Sequence, residues 1–437
     1  MTAHEQVLTR IDGLRDELLA TVAAAIRIPS VTPTFPGEDY ADVVGAEGAV
    51  SRLLAGVYAD AGAEVDVFAV DPGRDNAVGV IRGTGGGRSL IFNGHVDVVP
   101  PGDPAAWRSG DPFDGAIEDG WIHGRGSADM KSGLVAQAFA ARALREAGVR
   151  LRGDLILQAV VGEENLEHHM GTSMVLARGY TADGAIVAEP TGAARPLTVM
   201  AATPGVLVMK VDVVGKSAHS SMRGRMLRGQ GTRDPIAVSA IDRGLVIHEA
   251  LRRLEHDWAV TKFDPLFEPG QFTIAPGALD GGARHSRSGA FIPDQMSMVY
   301  AVFHPPAEEQ DTIRAEIESH IAHVAATDPW LCDHPPVVTW QLCYPGSRVD
   351  PTHPLCDVVV GARELAGHDS RYAARPGIEA FPSATDATWL CRAGIPTVGL
   401  GPGELAMAHT YDERCAVDEI ICAARTYALA AIDWCGA

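Results

Sequence analysis

All seven cysteines of the 437-residue chain fall between Cys332 and Cys435, and no two of them form a Cys-x-x-Cys pair. That distribution argues against a disulfide framework or a thiolate zinc knuckle. The expectation is reduced thiols serving as small core residues in a cytoplasmic protein. Positive charge is scarce: 36 Lys and Arg stand against 56 Asp and Glu, a formal net charge of −20. A surface of that sign is unsuited to nucleic acid or to an anionic membrane. No run approaches the ~18 apolar residues of a membrane-spanning helix. The first ten residues, from Met1 to Arg10, lack a basic segment followed by an apolar one, so no signal peptide is expected. No internal repeat or low-complexity tract is evident.

What remains is ordinary globular composition, 46% hydrophobic and 21% charged. The length exceeds what one core usually serves and predicts two domains. Apolar residues at helical spacing predict a helix over 5–28, and others over 48–61 and 134–147. Short apolar runs predict strands at 64–68, 76–81, 89–92, 155–161, 184–188 and 396–400. The glycine-rich stretch Gly83–Gly87 reads as a hairpin turn between two of them. After Glu189 the pattern changes. Strands at 206–214, 271–274, 295–303 and 336–341 alternate with helices at 237–258 and 308–324. The order β-α-β-β-α-β is ferredoxin-like. It predicts an inserted domain over 203–344, within a catalytic domain made of residues 1–202 and 345–437.

The informative positions are polar residues that follow apolar runs. They are His95 in Asn93-Gly-His-Val-Asp97, the pair Glu163-Glu164, Glu189 in Ala188-Glu-Pro190 and His409 in Ala408-His-Thr410. Asp129 lies in Gly126-Ser-Ala-Asp-Met-Lys131, just before a predicted helix. Runs of this kind read as central strands of an α/β sheet, and ligands collect at the carboxyl ends of such strands. Residues far apart in sequence should therefore meet on one edge. Two imidazoles with several carboxylates suit a divalent transition metal. A shared carboxylate would build a two-metal site. Within Glu163-Glu164, neighbouring side chains diverge, so one can bind metal while the other moves a proton.

These segments resemble the zinc-dependent exopeptidases and amidohydrolases that include acetylornithine deacetylase, succinyl-diaminopimelate desuccinylase, aminoacylase and glutamate carboxypeptidase. The likeness rests on Gly94-His-Val-Asp-Val-Val-Pro100, Gly124-Arg-Gly-Ser-Ala-Asp-Met-Lys-Ser-Gly133 and Gly394-Ile-Pro-Thr-Val-Gly-Leu-Gly-Pro402. It implies an α/β fold with a mixed-sheet, zinc-exopeptidase-like catalytic domain and an inserted ferredoxin-like α+β lid and dimerisation domain. It implies two divalent ions, zinc first and cobalt or manganese as alternatives. His95, Asp129 and Glu189 would hold one ion, and Asp129, Glu164 and His409 the other. Asp97 would accept the outer N–H of His95, and Glu163 would be the general base. A cis peptide would follow the bridging Asp129. His219, in Gly215-Lys-Ser-Ala-His219, would reach the site of the partner subunit, which implies a homodimer.

The implied activity is amide hydrolysis, with deacylation of a small N-acylated amino acid or related metabolite as the main reading. A carboxypeptidase or dipeptidase, or an aminohydrolase of an unusual C–N bond, is the alternative. A binding protein without catalysis is disfavoured, since Glu163 and every ligand position are intact. Glu189 points the same way, because the family's deacylases and carboxypeptidases carry Glu there and its aminopeptidases Asp. One departure concerns the substrate. The family's carboxylate-gripping arginine aligns with Phe303. Either Arg284, Arg287, Arg223, Arg225 or Arg228 replaces it, or the substrate lacks that carboxylate; the second is the expectation.

Overall fold

A computed structural model describes residues 1–192, 196–227, 235–367 and 372–437. The chain divides into two compact units. One holds residues Met1–Ala202, Arg348–Phe381 and Thr385–Ala437, and the other holds Thr203–Ser347 and Pro382–Ala384.

The first unit is built on a mixed sheet. Its order is Glu64–Ala69, Asp75–Ile81, Leu155–Val160, Leu90–His95, Ala185–Val187, Thr397–Gly399, Val199–Thr203 and Ser347–Arg348, with Ile378–Ala380 paired to Val199–Thr203. The four strands from Leu155–Val160 to Thr397–Gly399 are mutually parallel. Every residue of Leu90–His95, Leu155–Val160 and Ala185–Val187 is buried. Such strands are covered on both faces, which is why they read as apolar runs without alternation. Helices Lys131–Glu146 and Val417–Cys435 pack together and are buried over nearly their whole length. Gly133, in the first turn of the former, lies so close to the strand end that a Cβ there would sit 2.5 Å from the Ala188 carbonyl oxygen.

Three expectations are corrected here. The helix over 5–28 is two helices, Ala3–Gly13 and Arg15–Ile26, separated at Leu14 where ψ is near 0°. Gly83–Gly87 is not a hairpin, because Leu155–Val160 lies between the strands it connects and pairs with both. Its glycines instead allow close approach to another segment: a Cβ on Gly83 would meet the Arg152 carbonyl at 2.4 Å. In the second unit the strand expected at 271–274 is Ile274–Gly282, so Gly281 and Gly282 pair within it.

The second unit is a four-stranded antiparallel sheet, ordered Ile274–Gly282, Gln295–His304, Gly205–Val214, Val337–Tyr344. Helices Ala240–Thr261 and Gln310–Ala325 follow the first and third strands of the chain order, completing the ferredoxin-like arrangement. Buried residues alternate along Gln295–His304. The inward set, Met296, Met298, Tyr300 and Val302, joins Trp258, Ile313 and Ile317 in one core. Cys356, Cys415, Cys422 and Cys435 are buried in the first unit. Among the described residues no helix is long and apolar enough to cross a membrane.

Candidate metal centre and active site

The parallel strands end on one edge and deliver polar side chains to it. His95 is the last residue of its strand, Glu163 and Glu164 follow Val160, and Glu189 follows Val187 by two residues. Asp129 precedes the helix that begins at Lys131, and its peptide bond to Met130 is cis. His409 comes from the loop after Thr397–Gly399 and sits at φ +60°, a left-handed conformation uncommon outside glycine.

The structure brings these together around Asp129. His95 Nε2 lies 3.0 Å from Asp129 Oδ1, and His409 Nε2 lies 3.4 Å from Asp129 Oδ2. His409 Nε2 is also 3.0 Å from Glu164 Oε2. His95 Nε2 is 3.9 Å from both Glu163 Oε2 and Glu189 Oε1. Potential donor atoms of His95, Asp129 and Glu164 all lie within 4.8 Å of one another, as do those of His95, Glu163 and Glu189.

The electrostatics are those of a site short of positive charge. Burial, reinforced by the charge of Glu189, pushes the Glu163 carboxyl well above the usual range. Burial and the charge of Asp129 do the same to Glu189, and raise Glu164. Burial would lower the pKa of His95, but the Asp129 hydrogen bond and the charges of Glu163 and Glu189 raise it instead. Bonds to Asp129 and Glu164 push His409 up to about 10. Asp129 is held low: burial works against ionisation, and the bonds from His409 and His95 outweigh it. Oε1 of Glu164 is buried and has no hydrogen-bond partner among the described residues. An orphaned carboxylate oxygen among imidazole nitrogens and clustered carboxylates is a donor set that fits divalent cations.

Asp97 differs from its expected role. Its backbone carbonyl, not its carboxylate, takes the hydrogen bond of His95 Nδ1, at 2.9 Å; the nearer carboxylate oxygen is 3.7 Å away. The carboxylate accepts instead from the backbone N–H of Glu163 (3.4 Å) and Glu164 (3.1 Å). It thus holds the pair of glutamates where the chain leaves its strand. The physical reason is local: the loop after Val160 presents free amide donors directly to a fully buried anion, which must be satisfied.

His219 belongs to the second unit. It is exposed, and its Nδ1 accepts from the Ser221 amide at 3.2 Å. Arg223 and Arg287 are ion-paired with Asp242 and Asp280. Arg228 lies outside the described residues. Two buried acids beside the site, Asp386 and Glu413, were not foreseen from sequence. Asp386, at the start of helix Ala387–Arg392, is bonded to Thr172, and burial raises its pKa to about 6. Glu413 lies four residues beyond His409 and is completely buried. Neither Asp386 nor Glu413 follows an apolar run in the sequence.

Comparison with known proteins places the chain in a family. The family model described as peptidase family M20/M25/M40 matches residues 91–433. A deformylase of N-formyl-4-amino-5-aminomethyl-2-methylpyrimidine from Halalkalibacterium halodurans is 33% identical, over 100% of this chain and 98% of its own. The protein of the same description from Bacillus subtilis is 35% identical over 88% of this chain and 89% of its own. A succinyl-diaminopimelate desuccinylase from Paracoccus denitrificans is 29% identical over 93% of this chain and 95% of its own. Among solved structures, human carnosine dipeptidase 1 superposes with a TM-score of 0.73 at 14% identity, with both chains fully covered, and shares the fold. The chain therefore belongs to peptidase family M20/M25/M40, and it is a metallohydrolase of amide C–N bonds.

Proposed function

We propose that the protein removes a formyl or other small acyl group from the amine of a heteroaromatic metabolite that has no α-carboxylate. The observation that carries this reading is the whole-length likeness to the two aminopyrimidine deformylases. The second unit supports it. Phe303 aligns with the family's carboxylate-gripping arginine, and two of the five candidate replacements, Arg223 and Arg287, are already engaged by acids. An apolar ring gains contact area beside Phe303, whereas a carboxylate would forfeit a bidentate partner.

Two divalent ions, zinc first and cobalt or manganese as alternatives, would polarise the acyl oxygen and acidify the attacking water. His95, Asp129 and Glu189 would hold one, and Asp129, Glu164 and His409 the other. Glu163 takes the proton of the attacking water as its oxygen bonds to the acyl carbon. Glu163 then returns that proton to the nitrogen as the C–N bond breaks, leaving a carboxylic acid and an amine. Asp97 positions the Glu163-Glu164 backbone. His219, with Nδ1 accepting, presents Nε2–H as a donor in the neutral ring, a group suited to a developing oxyanion. We place that donor at the partner's site in a cytoplasmic homodimer formed through the second unit.

The decisive experiment is a comparison of kcat/KM on metal-replete enzyme. The substrates are an N-formyl aminomethylpyrimidine, N-acetyl and N-succinyl amino acids, and dipeptides. The expected outcome is at least a hundredfold preference for the formylated heteroaromatic amine. Faster cleavage of succinyl amino acids would favour the desuccinylase reading, and faster cleavage of dipeptides the peptidase reading. For the shared site, inactive His219→Ala chains mixed with inactive Glu163→Gln chains should recover activity. No recovery despite proven subunit exchange would refute it.

A further inference from the structure

We infer that Glu413 is a positioning residue for the metal centre: one buried carboxylate sets the loop that carries Asp129 and ties it to the loop that carries His409. This rests on the reading of those two residues as ligands.

Glu413 Oε1 accepts three backbone amides of the Asp129 loop, from Gly126 (3.0 Å), Ala128 (2.9 Å) and Asp129 itself (3.1 Å). Its other oxygen is paired with Arg125 Nη1, and that same nitrogen donates to the Thr410 carbonyl at 3.2 Å. Thr410 is the neighbour of His409. The main chain repeats the link: the Gly124 amide donates to the Glu413 carbonyl at 2.9 Å, and Arg414 pairs with His123 in a short antiparallel ladder.

Converging three amides on one oxygen fixes the backbone from 126 to 129. The Asp129 carboxylate is thereby turned to meet His95 on one side and His409 on the other. Among the described residues neither Asp129 nor His409 lies in a sheet strand, so the carboxylate adds to the main-chain link the side-chain contacts nearest the two ligands. Removing the acceptor would leave buried donors unsatisfied at the position from which both ligand sets are aimed. Supporting partners of this kind typically change metal affinity by about 10–100-fold.

The test compares the parent with Glu413→Gln, which keeps its size and one acceptor oxygen, and Glu413→Asp, one methylene too short to reach the amides. Arg125→Lys is a third variant that leaves the carboxylate in place. Zinc affinity is read by chelator competition, and hydrogen exchange is followed in peptides covering 124–131 and 155–160. We expect zinc affinity to fall at least tenfold in both Glu413 variants. Exchange over 124–131 should accelerate at least tenfold while 155–160 stays unchanged. Zinc affinity within threefold of the parent, with unchanged exchange over 124–131, would overturn the inference. Equal acceleration in both peptides would also overturn it, since that marks a general loss of stability. If the parent binds no zinc, the metal reading fails, and local exchange over 124–131 alone decides whether Glu413 positions the loop.

Discussion

The two imidazoles of the site occupy opposite kinds of structure. His95 ends a fully buried central strand and its side chain is 1% exposed. His409 lies in a loop, in a left-handed backbone conformation, with 52% of its side chain exposed. One is placed by the sheet and the other by a few polar contacts that reach across the chain. A centre assembled this way has a rigid half and a dependent half. The rigid half carries Glu163, the proposed proton-transferring group, and the dependent half would close the proposed ligand set.

The largest effect expected is chemical and falls on the rigid half. Glu163→Gln should lower kcat by about 10²–10⁴-fold with metal content unchanged, as for loss of a general acid–base group. Loss of metal in that variant would mean that Glu163 is a ligand, as its closeness to His95 and Glu189 would allow. The comparison itself is tested by His95→Ala against His409→Ala. The first removes a buried partner from Asp129, Glu163 and Glu189 and should lower both the melting temperature and metal retention. The second should lose metal affinity with little change in the melting temperature of the metal-free protein. Equal destabilisation would erase the distinction between the halves.

A smaller effect is expected at Asp97. Asp97→Ala should reduce kcat about tenfold and destabilise by about 1–3 kcal/mol, because the Glu163 and Glu164 amides lose their buried acceptor. An effect confined to metal affinity would restore the view that Asp97 acts on His95.

The smallest effect is on the pH dependence of the metal-free protein. The folded pKa of His409 is raised from 6.5 to about 10, so its contribution to stability is full below about 6.5 and is lost as pH rises through 10. Glu163 and Glu189, also raised, add the same sign, because the folded state holds their protons more tightly than the unfolded chain. The metal-free melting temperature should therefore fall between pH 6.5 and 10. Saturating zinc should weaken or reverse that slope, since binding requires the deprotonated ligands. A flat profile without metal would show that the imidazole and carboxylates are not packed as described.

The rigid half was legible because burial on both faces writes continuous apolar runs into the chain. Leu90–His95, Leu155–Val160 and Ala185–Val187 are such runs, each delivering its polar residue within a few positions of its end. The ferredoxin-like order of the second unit was legible for a related reason: its sheet is buried on one face, so Gln295–His304 alternates. The hairpin at Gly83–Gly87 was misread because a turn-rich sequence does not reveal which strand will later enter between its neighbours.

By itself, then, the sequence determined the central strand ends and the family, since periodicity and side-chain type are local properties. Only the tertiary structure decided what the buried carboxylates do. Asp97 serves two backbone amides of the Glu163 loop, and Glu413 three of the Asp129 loop. Those partners lie 66–67 and 284–287 residues away along the chain. A buried anion must be satisfied by whichever donors the fold brings to it, and no local pattern records which those are.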